Sequence, residues 1–212
     1  MDGSGIAQWL NDAFSGFDGG VLRALHDFAQ MTDGRFTGFF EAVSMVAEKG
    51  IGMFLLGIVL FAFKKTRKTG ACVFGAVVFG ALVTNILLKD LIGRSRPFLD
   101  AAGSLYREWW MFVGSPAEDG FSFPSGHATA TMAAMTVLFV KGNRKVSWLF
   151  FGIAILMGIS RCYLMVHFPS DILGGMVAGA LGAGLSIVRV ERLYAPLMRL
   201  LSIDLGTKKG NV

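Results

Sequence analysis

The stretch at residues 70–91 reads GACVFGAVVFGALVTNILLKDL and gives a clear indication of the fold class. Up to Leu88, Thr84 and Asn85 are its only strongly polar members, and its length suits a helix that crosses about 30 Å of hydrocarbon. Four more runs, one before this stretch and three after it, have comparable length and apolar character. The sequence therefore predicts an all-α, polytopic membrane helix bundle with five spanning helices, at 44–63, 70–91, 124–140, 146–164 and 170–188.

The composition agrees with this fold class. Hydrophobic residues make up 53% of the 212 and charged residues 17%, with a mean hydropathy of +0.56. Ordinary soluble domains contain about 45–50% and about 25%, so both a soluble globular domain and a disordered chain are excluded. The 28 glycines would let membrane helices approach closely. Two cysteines, Cys72 and Cys162, are too few for a disulfide framework or a cysteine-rich metal site.

Residues 1–36 form a different kind of segment. Bulky apolar residues alternate there with Asp12, Asp18, Arg23 and Asp27, and each charge would cost about 2.5–3.5 kcal/mol at the centre of a membrane helix. We therefore expect an amphipathic interfacial segment, not a sixth crossing or a signal peptide. His26 is expected to be an ordinary interfacial residue. The predicted division is 1–36 interfacial, 37–190 membrane domain and 191–212 basic cytoplasmic tail.

The charge distribution predicts the orientation. The loops 64–69 and 141–145 and the tail after residue 188 hold 12 Lys/Arg and two acidic residues, whereas the remainder holds eight Lys/Arg and 13 acidic residues. By the positive-inside rule, the basic side and the C-terminus are cytoplasmic, and connection 92–123 faces outward. This predicts a multi-pass protein of the bacterial inner (cell) membrane. Topology thus explains the net charge of +5, and no nucleic-acid partner is expected.

Three polar stretches interrupt the apolar pattern at the predicted outer boundary. They read KDLIGRSRP (89–97), FSFPSGH (121–127) and SRCYLMVHFPSD (160–171). Each has an ordinary structural alternative when taken alone: interfacial cations that snorkel, a Ser-Gly helix cap, and a structural histidine. In the second stretch, Pro124 suits a first helical turn, and Ser125 and Gly126 could form an anion cradle.

Together the three stretches indicate phosphoryl transfer. Lys89, Arg96 and Arg161 are cationic donors suited to a tetrahedral oxyanion. Two histidines and a carboxylate could supply the nucleophile and the acid for the leaving oxygen. No set of Asp, Glu and His in the sequence resembles a metal cage, so no metal or cofactor is expected.

These residues resemble the signature of the type 2 phosphatidic acid phosphatase (PAP2) superfamily of integral membrane lipid phosphatases. That signature is Lys, six residues, Arg-Pro; then Pro-Ser-Gly-His; then Ser-Arg, five residues, His, three residues, Asp. Every fixed position and both internal spacings match here. The resemblance covers roughly residues 40–190. It departs at the N-terminus, where six-helix members begin with another spanning helix.

The resemblance implies a metal-independent mechanism. His167 would be the nucleophile that forms a phosphohistidine, oriented by Asp171, and His127 would be the general acid and base. Pro169 is expected to start the last helix, so that Asp171 can reach back to the residue before it. The implied phosphate-binding residues are Lys89, Arg96, Ser125, Gly126 and Arg161. Arg94 and Ser160 are less expected to contact the phosphate: Arg94 could instead meet lipid headgroups, and Ser160 could serve in packing or helix capping.

The expected substrate is a membrane lipid phosphate or diphosphate hydrolysed at the outer face. Undecaprenyl diphosphate is favoured by analogy with small bacterial members, followed by phosphatidylglycerophosphate and phosphatidic acid. Transfer of the phosphoryl group to another alcohol is a variant. A non-catalytic anion-binding or transport protein is the alternative from another class. The aromatic cluster at 106–112 either dips into the membrane interface or merely anchors its loop, and the oligomeric state stays open.

Overall fold

The computed structural model describes residues 4–99, 104–143 and 145–200, and this part of the chain is helical with no β-strand. Short 3-10 turns at Glu48–Gly50 and Pro97–Leu99 and a π-helical segment at Leu82–Leu88 connect or extend the α-helices. The α-helices are α1 (Gly5–Met31), α2 (Thr37–Val46), α3 (Ile51–Ala62), α4 (Arg67–Ala81), α5 (Lys89–Ile92), α6 (Ser104–Phe112), α7 (Gly126–Lys141), α8 (Leu149–Tyr163) and α9 (Pro169–Leu200).

Within the described residues, two helical stretches are long and apolar enough to cross a membrane. One combines α4, the π-helical segment and α5 within Arg67–Leu99, and the other is Pro169–Pro196 of α9. They coincide with the predicted spans 70–91 and 170–188. Large apolar side chains such as Phe74, Leu181 and Leu185 face outward from them, as lipid contact requires.

The predicted span 44–63 is broken into two helices. α2 and α3 meet at an angle of 50° and qualify as a third span only when they are taken together. The break falls at the 3-10 turn, where Gly50 has a φ of +77°, a left-handed conformation that glycine adopts readily. The apolar pattern alone could not indicate this bend.

The predicted spans 124–140 and 146–164 correspond to α7 and α8, which are too short to qualify by length. They have 16 and 15 residues, about 24 Å at 1.5 Å per residue. Most of α7 is buried among other helices, so its alanines and threonines reflect helix packing. The described part of the chain is thus helical with two to three candidate spans, and the expected total of five is unconfirmed.

Close packing of α9 on α7 brings two of the polar stretches together. A Cβ atom added at Gly175 would lie 2.5 Å from the Ser125 carbonyl oxygen, and one at Gly179 would lie 2.4 Å from that of Thr129. These glycines therefore serve contact within this chain. The contact holds the start of α7 against the first turns of α9.

The N-terminal segment is a single long helix docked on the protein. Its buried residues recur every three to eight positions, and α1 packs against α8 and α9. The expectation for His26 was wrong: the ring is buried and stacks on Trp109 with centroids 4.6 Å apart. Trp9 and Phe17 face outward, so an interfacial position for α1 stays a prediction.

The aromatic cluster of α6 anchors its loop. Trp110 stacks on Phe98 at 4.6 Å, and its indole N–H donates to the Pro116 carbonyl oxygen at 3.1 Å. Trp109 is buried against α1. Of the two alternatives for this cluster, the contacts of the tryptophans favour anchoring, although Phe112 is exposed.

Helix α9 continues beyond its predicted end. It runs without a break across position 190 to Leu200, and Glu191 pairs with Lys141 at the end of α7. The first ten residues of the predicted tail 191–212 are therefore helical. Residues 201–212 lie outside the described part of the chain.

Candidate active site

His167 lies at the centre of the site, in the turn between α8 and α9. Its ring is buried, with Nε2 3.4 Å from an Arg96 guanidinium nitrogen and Nδ1 3.4 Å from Asp171 Oδ2. Burial is the main cause that holds the pKa of His167 well below its ordinary value, and the positive charges of Arg96, Arg161 and Lys89 act in the same direction. The imidazole is therefore neutral near pH 7, as a nucleophile must be.

Asp171 is held in place beside His167. Helix α9 begins at Pro169, as expected, and Asp171 Oδ2 accepts the Phe168 backbone N–H at 2.8 Å. The Ser122 hydroxyl donates to the same carboxylate and lies 3.3 Å from His167 Nδ1. Sequence reasoning missed Ser122, although it lies within the quoted stretch 121–127.

A buried charge network lies behind Asp171. Arg94 donates to Asp171 Oδ1 at 2.7 Å, to Asp18 Oδ2 at 2.8 Å and to Asn11 Oδ1 at 2.8 Å. Asp18 also accepts the backbone N–H and the hydroxyl of Ser170, at 2.8 and 2.6 Å. The expectation that Arg94 meets lipid headgroups was wrong, because its side chain is 1% exposed. We call Asp18, Arg94, Ser170 and Asp171 the rear network.

Arg96 is fixed mainly by backbone carbonyl groups. Its guanidinium donates to the carbonyl oxygens of Asp119 at 2.7 Å, Val166 at 2.9 Å and Gly120 at 3.0 Å. These bonds tie the loop before α7 to the turn that carries His167. They also hold the positive charge beside the His167 ring.

Arg161 is engaged by groups of the protein. Its guanidinium pairs with Glu118 and donates to the Ser44 hydroxyl, while Nε has no hydrogen-bond partner among the described residues. An incoming phosphate would have to replace the Glu118 carboxylate to contact Arg161 through Nη2. Sequence reasoning missed Glu118, because its distance from Arg161 along the chain carries no signal of this contact.

The residues of the PSGH stretch, 124–127, have different positions in the structure. α7 begins at Gly126, so Pro124 lies before the helix, outside the first turn where it was expected. Ser125 is the buried N-cap, and its side chain accepts the Ala128 N–H at 3.5 Å. This is the capping alternative that the sequence left open. His127 faces a cavity, and its Nε2 lies 3.4 Å from Glu48 Oε2.

The cavity has a volume of about 460 Å³ and is polar at one side and apolar at another. Five predicted site residues line it, and three others do not. The lining ones are Lys89, Arg96, Gly126, His127 and His167. Ser125, Arg161 and Asp171 are buried and are not among the lining residues. The apolar wall comes from α3, α4 and α7 through Phe54, Val77, Ala81 and Ala130.

Comparison with known proteins identifies the family. The PAP2 superfamily model matches residues 69–194. Phosphatidylglycerophosphatase B of Bacillus subtilis is 32% identical over 66% of this chain and 70% of its own length. The undecaprenyl-diphosphatase BcrC of the same organism is 34% identical over 37% of this chain and 40% of its own length. The crystal structure of Aquifex aeolicus LpxE has a TM-score of 0.58 at 24% identity, and the match covers 76% of this chain and 93% of that one.

The chain belongs to the PAP2 superfamily. Members of this family are phosphatases, so the protein is a hydrolase that acts on lipid phosphates.

Proposed function

We propose that this protein hydrolyses a membrane lipid phosphate or diphosphate through a phosphohistidine on His167, without a metal ion. The observation that carries this proposal is the cavity, which is lined by two histidines, two cationic side chains and several apolar side chains. A lipid needs both surfaces, because its phosphate requires charge stabilisation and the start of its chain requires an apolar contact.

The geometry supports different roles for the two ring nitrogens of His167 and for His127. Nδ1 faces Asp171 and Ser122, which leaves Nε2 beside Arg96 as the nitrogen that attacks phosphorus. In the first step the Nε2–P bond forms and the bond from phosphorus to the leaving oxygen breaks. His127 donates its proton to that oxygen. In the second step His127 takes a proton from water, the oxygen of that water bonds to phosphorus, and the Nε2–P bond breaks to release phosphate and neutral His167.

The remaining contacts would stabilise the phosphoryl group. Lys89 and Arg96 line the cavity as cations, and the Gly126 backbone at the start of α7 lines it as well. Arg161 joins them once its pair with Glu118 opens. Ser125 acts through the helix cap, which keeps the first turn of α7 in place.

Undecaprenyl diphosphate is the leading substrate and phosphatidylglycerophosphate the second. The name of BcrC, an undecaprenyl-diphosphatase, supports the first, and the wider match to phosphatidylglycerophosphatase B supports the second. We further propose that the site faces the extracytoplasmic side of the cell membrane and that five helices span it. In support, the site lies at the ends of α5 and α8 and the starts of α7 and α9, whereas Lys141 lies at the opposite end of α7.

The test is phosphate release by purified protein in detergent with EDTA. Undecaprenyl diphosphate, phosphatidylglycerophosphate and phosphatidic acid are compared, each with His167→Ala and with Glu41→Gln as an exposed control. The proposal expects turnover that persists in EDTA, is absent in His167→Ala and is retained in Glu41→Gln. Release that requires a divalent metal would contradict the mechanism, and lipid binding without release would favour an anion carrier.

A further inference from the structure

Glu48 is a carboxylate at the catalytic cavity that the family signature does not include. It lies in the 3-10 turn between α2 and α3, lines the cavity, and places Oε2 3.4 Å from His127 Nε2. The bend at Gly50 makes this contact possible, because it interrupts an apolar helical stretch at the level of the site. The side chain of the neighbouring Lys49 lies outside the described residues.

His127 needs a proton in an unfavourable environment. In the proposed mechanism it must be an imidazolium when the leaving oxygen departs. Its side chain is buried, and its Nε2 has no hydrogen-bond partner within the described part of the chain. Burial and nearby positive charge both disfavour an imidazolium. A general acid at this position therefore requires a compensating negative charge.

Charged and titratable groups from several structural elements surround the His127 ring. They are Glu48 of the 3-10 turn, Lys89 of α5, Arg96 of the following loop, Arg161 of α8 and His167 before α9, with Glu118 and Asp119 on the same cavity wall. Glu118 is engaged by Arg161. Glu48 is the carboxylate within 4 Å of the His127 ring nitrogen.

We propose that Glu48 is a positioning residue that stabilises the protonated form of His127 and so maintains it as the general acid. The inference rests on the proposed function and deepens it. Glu48 acts through His127 and contacts neither the phosphorus nor the leaving oxygen. Its side chain is about half exposed, whereas the side chain of His127 is buried.

The first test is the pH dependence of kcat/KM on the lipid that the wild-type protein hydrolyses fastest. Glu48→Gln should move the basic limb of the profile to lower pH by about one unit, since an opposite charge within 4–6 Å shifts a pKa by one to three units. Glu48→Asp retains the charge and should shift the limb less. Glu41→Gln, an exposed carboxylate on α2, should match wild type.

The second test changes the leaving group and keeps the lipid the same. With the natural oxygen ester, Glu48→Gln should lower kcat/KM at pH 8 by about tenfold, a part of the 10²–10⁴-fold that general acid catalysis supplies. With sulfur in place of the bridging oxygen, the leaving thiolate needs no proton, and the variant should approach wild type. A purely structural defect would lower both rates equally.

An unchanged basic limb, or an equal loss with both leaving groups, would overturn the role of Glu48. Failure of the proposed function gives a different result: wild type would release no phosphate from the oxygen ester, or His167→Ala would retain turnover. The two failures are therefore distinguishable in one set of measurements.

Discussion

The two sides of His167 are built in opposite ways. Behind the ring, the rear network is buried, and Arg94 alone donates to four neighbouring side chains besides contacting the Phe168 ring at 4.1 Å. In front, His127 Nε2 and Arg161 Nε have no hydrogen-bond partner in the described part of the chain, and Glu48 is half exposed. The hydrogen-bonded rear side fixes His167, the proposed nucleophile, whereas the front side keeps polar groups that a phosphate could contact.

The largest expected effect comes from the rear side next to the nucleophile. Asp171→Asn should lower kcat by about 10³–10⁴-fold, as loss of an orienting carboxylate does in other triads, with little change in KM. Steady-state phosphate release measures both constants. Asp12→Asn, an exposed change on α1, is the matched control. A loss confined to KM would mean that Asp171 binds substrate and does not orient His167.

Loss of the α1 contact to the rear network should mainly affect stability. Asp18→Ala removes one of the two carboxylates that pair with Arg94, and it removes the acceptor of the Ser170 backbone N–H. Arg94 keeps its pair with Asp171, and a buried donor left without an acceptor costs about 1–3 kcal/mol. Thermal unfolding in detergent should show this loss, and Asp12→Ala should not. Equal unfolding temperatures for the two variants would contradict the view that α1 is part of the catalytic domain.

On the front side of His167, removing the negative charge of Glu118 should strengthen the binding of phosphate. Glu118→Gln releases Arg161 from its ion pair, so the affinity for inorganic phosphate should rise about fivefold, equivalent to roughly 1 kcal/mol. Competitive inhibition of turnover by inorganic phosphate measures this affinity. Weaker inhibition would show that Glu118 positions Arg161 for the phosphate instead of competing with it.

The smallest expected effect concerns His167, whose ring is expected to stay neutral over the pH range tested. Because burial and nearby cations lower the pKa of His167, its ring should stay neutral as the pH falls from 8 to 6. An unperturbed histidine, with a pKa of about 6.5, would be mostly protonated at pH 6. NMR of ring-labelled histidine, assigned with His167→Gln, should show a constant His167 signal over this range. A midpoint near 6.5 would mean that the ring is solvated.

The lowered pKa of His167 also makes the stability of the protein depend on pH. Since the folded state holds His167 neutral and the unfolded state does not, the unfolded state binds more protons at low pH. The contribution to the free energy of unfolding is therefore present above about pH 6.5 and is lost as the pH falls below it.

The sequence could predict what depends on local spacing. The positions of His167 and Asp171 follow from one helix start, and the apolar runs at 70–91 and 170–188 follow from composition. The partners of Arg94 could not be predicted, because Asp18 lies 76 residues away and its contact depends on how α1 docks.

Helix breaks and helix lengths were also beyond the sequence pattern. An apolar run looks the same whether it crosses a membrane straight or bends at Gly50, and α7 is apolar because it is buried in the bundle. The charge of Glu48 within such a run was a visible signal. Its contact with His127 required the bend.

The central claim is the covalent intermediate on His167, and trapping it is the most direct measurement. Protein with His127→Ala is mixed with the sulfur-bridged lipid labelled with ³²P, so that the leaving group departs but hydrolysis lacks its base. The expected product is a base-stable, acid-labile phosphohistidine, which peptide mapping should locate at residue 167. Label on another residue, or no covalent label while thiol is still released, would contradict it.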